Sequence, residues 1–481
     1  MAKKTIAITL LIALSVITYF RTSSADQNPY LVTDYSRLHP VKVERVVKGK
    51  EETQLIHLLQ DARKQHLKVS IAGQRHSQGG HTYYKDGIVV DMTGYNRILS
   101  IDREHKKITV QAGATWEDIQ EAVNRYGLAV RTMQSQNTFT VGGSISVNAH
   151  GRDIRNGSMI KSVDSFRLLM ADGQIKQVSH SENAELFPLA LGGYGLFGII
   201  LDVTLLLDDD ELYSVNTETM PTADYVRYFM QEVKTNPDIR MHIARISVSR
   251  GSFLTEMFAK NYTLDHSEPL EKYSKLTVRE PWTAPGKLLF QLNRSFDWGK
   301  TLTWDLQTAF FTEESGELIS RNNAMRAAWQ FMEYDQPDSS DLLQEYFIPV
   351  RQFDDFVEAM GKIVRSENLN LLNITVRYVN EDNEAVLSYA KQDMFALVCL
   401  FNVPLSSKGQ SHMEQSVRQI VDEAISRGGT YYLPYAGYPS LEQFRAAYPE
   451  YRLFFQKKLQ YDPGELFMNT FYEQYKGGGA E

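Results

Sequence analysis

The chain has 481 residues, 43% hydrophobic and 23% charged, with a formal net charge of -8. That length exceeds one simple core and points to two domains or one large α+β body. Nothing in the acidic balance, which has no basic stripe, points to phosphate-backbone binding, and the single cysteine, Cys399, excludes an internal disulfide framework and a cysteine-rich zinc site.

Lys3 and Lys4 precede an uncharged, mostly apolar run from Thr5 to Phe20. That is the layout of a signal peptide or a signal anchor, with a buried N-terminal helix as the alternative. As a helix the run is about 24 Å long, short for a span but able to cross a thin bilayer. Ser23-Ser24-Ala25 offers a small-residue cleavage site. The lysines predict a cytoplasmic N-terminus and an external body, so the chain is expected to be membrane-anchored or exported.

From Pro40 to Leu207 helices and strands alternate. Leu55, Ile56, Leu58, Leu59 and Ala62 share one face of a helix over 51–65, followed by strands over 67–72 and 87–92. Residues 98–102 and 107–112 read as paired strands. Thr115 is a good N-cap for a helix running to Tyr126, with Gly127 as its stop. Asp172-Gly173 marks a hairpin between strands 165–170 and 174–178, and 198–207 reads as a long buried strand. After Asp208-Asp209-Asp210 the texture changes. Helices over 224–234, 352–365 and 411–427 mix with strands near 243–248, 345–350, 374–379 and 396–401, which predicts a second α+β unit with a mostly antiparallel sheet. Cys399 lies in an apolar strand-like run and reads as a small buried hydrophobe. The Tyr- and Phe-rich stretch 431–475 is expected to pack back onto the first unit. No internal repeat is visible, and the only low-complexity feature is the Gly477-Gly478-Gly479 tail.

Three glycine-bearing segments carry the chemistry. The first, Ile71-Ala-Gly-Gln-Arg-His-Ser-Gln-Gly-Gly80, follows a strand and lets backbone N–H groups approach an anion. The second, Gln136 to Gly151, joins the pair Gly142-Gly143 to hydroxyl and amide donors. The third, Gly192 to Gly198, contains a literal G-x-G-x-x-G at Gly193, Gly195 and Gly198. A nicotinamide fingerprint needs a helix next, but Ile199 to Leu207 reads as a strand, and Asp202 comes too early to bind a ribose.

In this order the three segments resemble the FAD-binding domain of the vanillyl-alcohol-oxidase type, found in aldonolactone and alditol oxidases, cytokinin dehydrogenase and decaprenylphosphoryl-ribose oxidase. The resemblance is strongest over 41–207 and extends, less sharply, through Glu345-Tyr-Phe-Ile-Pro349, Thr375-Val-Arg-Tyr378 and the closing Tyr461-Asp-Pro463 with Leu466-Phe467-Met-Asn469. Beyond the N-terminal signal or anchor read above (1–25), it implies an FAD-binding domain (36–210), an α+β substrate or cap domain with an antiparallel sheet (211–430), and a C-terminal segment (431–481) returning to the FAD domain.

The implied cofactor is FAD, held by Ala72, Gly73, Gln74, Arg75, His76, Ser77, Gln78, Thr138, Thr140, Gly142, Gly143, Ser146, Ile199, Tyr432 and Asn469. In sugar oxidases of this type the His of such a His-Ser pair bonds covalently to the flavin. His76 is therefore a candidate covalent ligand, with a noncovalent contact or a structural role as alternatives. His81 lies beyond the glycines and is the poorer candidate. His150 is a candidate proton acceptor or a supporting hydrogen bonder. Arg152 stands where the ribose oxidase has a substrate-binding Lys, a solvated Arg being the other reading. Arg377 would balance charge on reduced flavin, and Glu345 would orient a substrate hydroxyl or accept its proton; an ordinary ion pair is the alternative for each. No metal site is expected.

The sequence departs from the family where substrate would sit. Leu433-Pro-Tyr-Ala-Gly-Tyr-Pro439 replaces the His-Trp-Gly-Lys ending of aldonolactone oxidases, and Thr375 stands where a Glu is common. The expected reaction is oxidation of a CH–OH group in a sugar-like alcohol, alditol or aldonolactone, with oxygen or a membrane acceptor receiving the electrons. The alternatives are a flavin-dependent double-bond reductase and a noncatalytic FAD-stabilised binding protein. No nucleic-acid partner is expected.

Overall fold

A computed structural model describes residues 2–22, 31–278, 283–326 and 330–477. The expected cleavage site Ser23–Ala25 and the tail residues Gly478 and Gly479 lie outside the described residues. The helix Ala2–Thr22 is long and apolar enough, over Lys4–Thr22, to cross a membrane.

Strand and helix follow the apolar spacing closely in the first half. Leu55, Leu58, Leu59 and Ala62 form the buried face of helix Glu52–Lys64. That helix links a parallel trio, with Ile88–Asp91 between Arg45–Lys48 and Val69–Ala72. Thr115 caps helix Trp116–Asn124 by accepting the Asp118 N–H, and Gly127 follows at φ +66°. Beside the trio stands an antiparallel sheet whose long strand, Ile199–Asp209, pairs with Val163–Leu169, Lys107–Gln111 and Leu128–Val130. The hairpin at Asp172-Gly173 is present, with Ile175–Ser179 as its outer strand.

The later half is built on an eight-stranded antiparallel sheet. Its central strands are Ile239–Ile246, Leu371–Val379, Met394–Pro404 and Ser339–Pro349, in that order. Cys399 is fully buried in it. The helix read over 224–234 is instead one α turn, Tyr225–Tyr228, running into a π-helical turn, Phe229–Val233. There Phe229, Tyr225 and His242 pack ring against ring, so burial of aromatics outweighs the regular helical register. The helix read from residue 411 begins four residues earlier, at Ser407, because the Ser406 hydroxyl caps it on Gly409 N–H. The antiparallel helices Thr283–Ser295 and Asp297–Glu313 were not singled out from sequence.

The aromatic C-terminal stretch touches the parallel trio directly. Val69 donates to the Leu466 carbonyl at 2.8 Å and accepts from Met468 N–H at 2.9 Å, and Gln78 N–H reaches the Pro434 carbonyl at 2.7 Å.

Candidate active site

A cavity of about 320 Å³ opens between the glycine-bearing loops and one face of the eight-stranded sheet. Strand alternation builds that face. Ile243 and Arg245, then Asn373, Thr375 and Arg377, then Val398 and Leu400, then Leu343 and Glu345 all line the cavity at every second position. Arg245, Thr375, Val398 and Glu345 are in register across four strands. Three strand spacings put Arg245 and Glu345 about 14 Å apart along this row.

The opposite wall is the loop after strand Val69–Ala72 and the short helix Val141–Ser146. The two are held in close approach. A Cβ on Gly73 would stand 2.1 Å from the Thr140 hydroxyl oxygen, and one on Gly142 would stand 2.8 Å from the Ala112 Cβ. Only hydrogen fits at either place. Thr140 caps that helix on Gly143 N–H. One non-glycine residue in each of the three segments adopts the left-handed region: Arg75 (φ 57°), Asn148 (φ 46°) and Tyr194 (φ 55°). Strain of this kind persists where the surroundings impose it, and it gathers at functional sites.

Deep in the cavity His150 Nε2 and Glu345 Oε1 lie 2.6 Å apart, with side chains 3% and 1% exposed. A carboxylate facing Nε2 selects the tautomer with its proton there. His150 Nδ1 is then an acceptor, and it is buried with no partner among the described residues. The imidazole is boxed by Phe347, Tyr389 and Tyr432, with centroids 5.4–5.9 Å away. Tyr389 and Tyr432 donate their hydroxyls to the backbone carbonyls of Asn148 and Val147, which fixes the strained turn that presents His150. Tyr435 also lines the cavity near Glu345, and burial, with the Glu345 charge, pushes its hydroxyl well up, so it stays protonated.

Arg377 donates to the Ser135 hydroxyl at 2.7 Å, and its Nε has no partner among the described residues. Burial lowers its pKa, opposed by Glu345. Arg152 donates to the Ala324 carbonyl. His76 lines the cavity between the rings of Tyr35 and Phe139, at 5.4 and 4.3 Å. Burial pushes its pKa down to about 4, so it is a neutral imidazole near pH 7.

The cavity lining therefore brings together His150, Arg152, Glu345 and Arg377 with Ala72 to Gln78, Thr140, Gly142, Gly143, Ser146 and Tyr432. Thr138, Ile199 and Asn469 do not line it. Ile199 points into the core on the far side of its strand, while its neighbours Gly198 and Ile200 reach the cavity. Asn469 caps the closing helix Thr470–Lys476 and bonds the Tyr194 carbonyl. Arg245 was missed from sequence. Among the described residues its guanidinium donates to the neutral amides of Gln307 and Asn373 and stands 5.9 Å from the Phe311 ring centre, and burial, with Arg152 and Arg377 nearby, lowers its pKa to about 10. No local signal set it apart, because its strand, Ile239–Ile246, also carries Arg240 and His242.

The residues present fit an extended, hydrogen-bonding cofactor. Gln78 Nε2, Gln136 Oε1, Arg152 Nε and Arg377 Nε belong to cavity-lining residues and are buried without partners among the described residues. Such groups are costly unless something else satisfies them.

Comparison with known proteins identifies that cofactor. Residues 43–179 match the model of an FAD binding domain. L-gulonolactone oxidase of Mus musculus is 35% identical over 144 residues, 30% of this chain and 32% of that protein. L-galactono-1,4-lactone dehydrogenase of Arabidopsis thaliana is 27% identical over 186 residues, 39% of this chain and 30% of that one. Decaprenylphosphoryl-beta-D-ribose oxidase of Mycolicibacterium smegmatis is 23% identical over 422 residues, 82% of this chain and 86% of that one. The match thus spans about a third of the length of the lactone-oxidising relatives. The resemblance read from the three glycine-bearing segments is borne out, and FAD is the cofactor of this fold.

Proposed function

We propose, starting from an FAD-binding domain at residues 43–179, that this protein is an FAD-dependent oxidoreductase oxidising a CH–OH group of a sugar-like alcohol, alditol or aldonolactone. The observation that carries this reading is the buried His150–Glu345 pair, 2.6 Å apart, which joins the second glycine-bearing segment to the sheet wall of the cavity.

His150 Nδ1 takes the proton of the substrate hydroxyl. Glu345 holds the ring in the Nε2–H tautomer and stabilises the imidazolium that results. FAD held in this cavity would supply the hydride acceptor that carbinol oxidation needs. Arg377 supplies fixed positive charge at the cavity, and Arg152 orients the far side of the substrate. The loop 72–78 with Thr140, Gly142, Gly143 and Ser146 cradles the cofactor, and the neutral imidazole of His76 is suited to covalent attachment.

The division into an FAD-binding part (36–210), a cap (211–430) and a returning segment (431–481) belongs to this reading. So does an anchored body outside the cytoplasm. The apolar helix Ala2–Thr22 favours a membrane electron acceptor over oxygen.

The test is to purify the protein, record its visible spectrum, precipitate it with acid, and assay alditols and aldonolactones with a redox dye. Flavin in the protein and dye reduction by one of these classes are expected. Colour retained in the pellet and lost in His76→Ala identifies covalent attachment. A protein that cannot take up FAD sinks the proposal.

A further inference from the structure

The helix Asp297–Glu313 has two unlike faces. One is packed: Gly299 and Thr303 are buried, Trp304 and Phe311 stack on Phe258, and Gln307 bonds Arg245. The other carries Trp298, Leu302, Leu306 and Phe310 at four-residue spacing, 56%, 38%, 50% and 57% exposed. Phe296 just before it is 48% exposed. A continuous stripe of large apolar side chains on an outward helix face marks an interaction surface.

Its surroundings say what covers it. The partner helix of the hairpin, Thr283–Ser295, packs along the N-terminal helix Ala2–Thr22. The end of the N-terminal helix is docked onto the body. Thr22 and Ser15 are buried, Lys287 donates to the Thr22 carbonyl, and its ammonium sits 5.0 Å from the Tyr19 ring centre. Elsewhere the N-terminal helix leaves Ile6, Leu10, Leu14 and Ile17 more than half exposed, as a helix suited to lipid does. Helices pack about 8–10 Å apart, so the stripe lies within about 20 Å of a helix of bilayer-crossing length.

We propose that helix Asp297–Glu313 lies in the interface of a lipid bilayer, as a second membrane contact beside the N-terminal helix. It is about 26 Å long, and Trp298, Leu302, Leu306 and Phe310 dip into the acyl boundary while Asp305 on the flank stays at headgroup level. This fixes the body's orientation. It also sets the membrane surface against one wall of the cavity, because Gln307 on the packed face holds Arg245, and Phe331 and Met332, which line the cavity, lie against Thr283–Ser295. The inference does not depend on which reaction the cavity performs.

Cys399 is buried, so it stays silent to thiol labels in the folded protein. Full-length Leu306→Cys, Phe310→Cys and, as a control on a far surface, Glu358→Cys are labelled with a fluorophore and reconstituted in phosphatidylcholine vesicles. Bound flavin reports that each variant is folded. Labels at 306 and 310 should be quenched at least about threefold more by an acyl-chain nitroxide than by aqueous iodide, and the label at 358 the reverse. Iodide quenching at 306 and 310 equal to that at 358 overturns the proposal. Protection of both labels from both quenchers also overturns it, since a second copy of the chain would then cover the stripe.

Discussion

Gly73→Ala tests the close approach on which the cofactor cradle depends. The new Cβ would stand 2.1 Å from the Thr140 Oγ1, 3.3 Å from its Cβ and 3.4 Å from its Cγ2. The last two contacts are tolerable and the first is not, so Thr140 must leave its rotamer. It then loses its cap on Gly143 N–H, a long bond at 3.4 Å whose loss costs about 0.5 kcal/mol. An off-rotamer side chain adds about 1 kcal/mol, for a total of about 1.5 kcal/mol. Thr140→Ala alone removes only the cap. In that background Gly73→Ala meets no hydroxyl, and Gly73 has no left-handed φ to forbid a side chain, so the double variant should be no less stable than Thr140→Ala. Urea-unfolding midpoints of the four proteins give the coupling, expected at about 1 kcal/mol or more against the about 0.5 kcal/mol typical of independent sites. The Gly73→Ala protein should also purify with less flavin than the double variant. Additive midpoint shifts would refute the argument that these two segments are pressed together.

Glu345→Gln keeps an acceptor for His150 Nε2 but removes the charge that stabilises the imidazolium; flavin reduction followed by stopped flow should slow about 100-fold with little change in thermal midpoint. An unchanged rate would remove the pair from the reaction. His81 lies between the rings of Tyr194 and Phe471, and burial pushes its pKa down to about 3. Its folded pKa is below the unfolded value near 6.5, so its contribution is complete above that pH and is lost as pH falls toward about 3. Between pH 6.5 and 4 this loss is on the order of 3 kcal/mol, and His81→Phe should flatten the acid limb of the melting curve by that share. Asp210 behaves oppositely, because burial raises its pKa to about 6. Its contribution is complete below the unfolded value near 3.8 and is lost as pH rises through about 6. Asp210→Asn, which still accepts the Asn322 N–H, should therefore raise the melting temperature at pH 7.5 by an amount equivalent to about 3 kcal/mol, and do little at pH 4.

Much of the first half was readable because its signals are local. The apolar face of helix Glu52–Lys64, the Thr115 cap and the Asp172-Gly173 hairpin each rest on residues within a few positions of one another. The three glycine-bearing segments were legible for the same reason: tight turns and close backbone approach demand glycine wherever the chain later goes. Resemblance to a known family, rather than spacing, supplied FAD and singled out His150 and Glu345. Their meeting is tertiary, since 195 residues separate them and a single in-register row across four strands carries Glu345 to the cavity. That row also brings in Arg245, which sequence could not distinguish from any other strand arginine. The same limit applies to Ile199. Its place in a strand could be read locally, but which of two alternating faces meets the cavity was decided by what packs on each side. Local chemistry specifies turns, caps and periods, whereas the convergence of distant charges depends on strand order and register, which arise only when the sheets assemble.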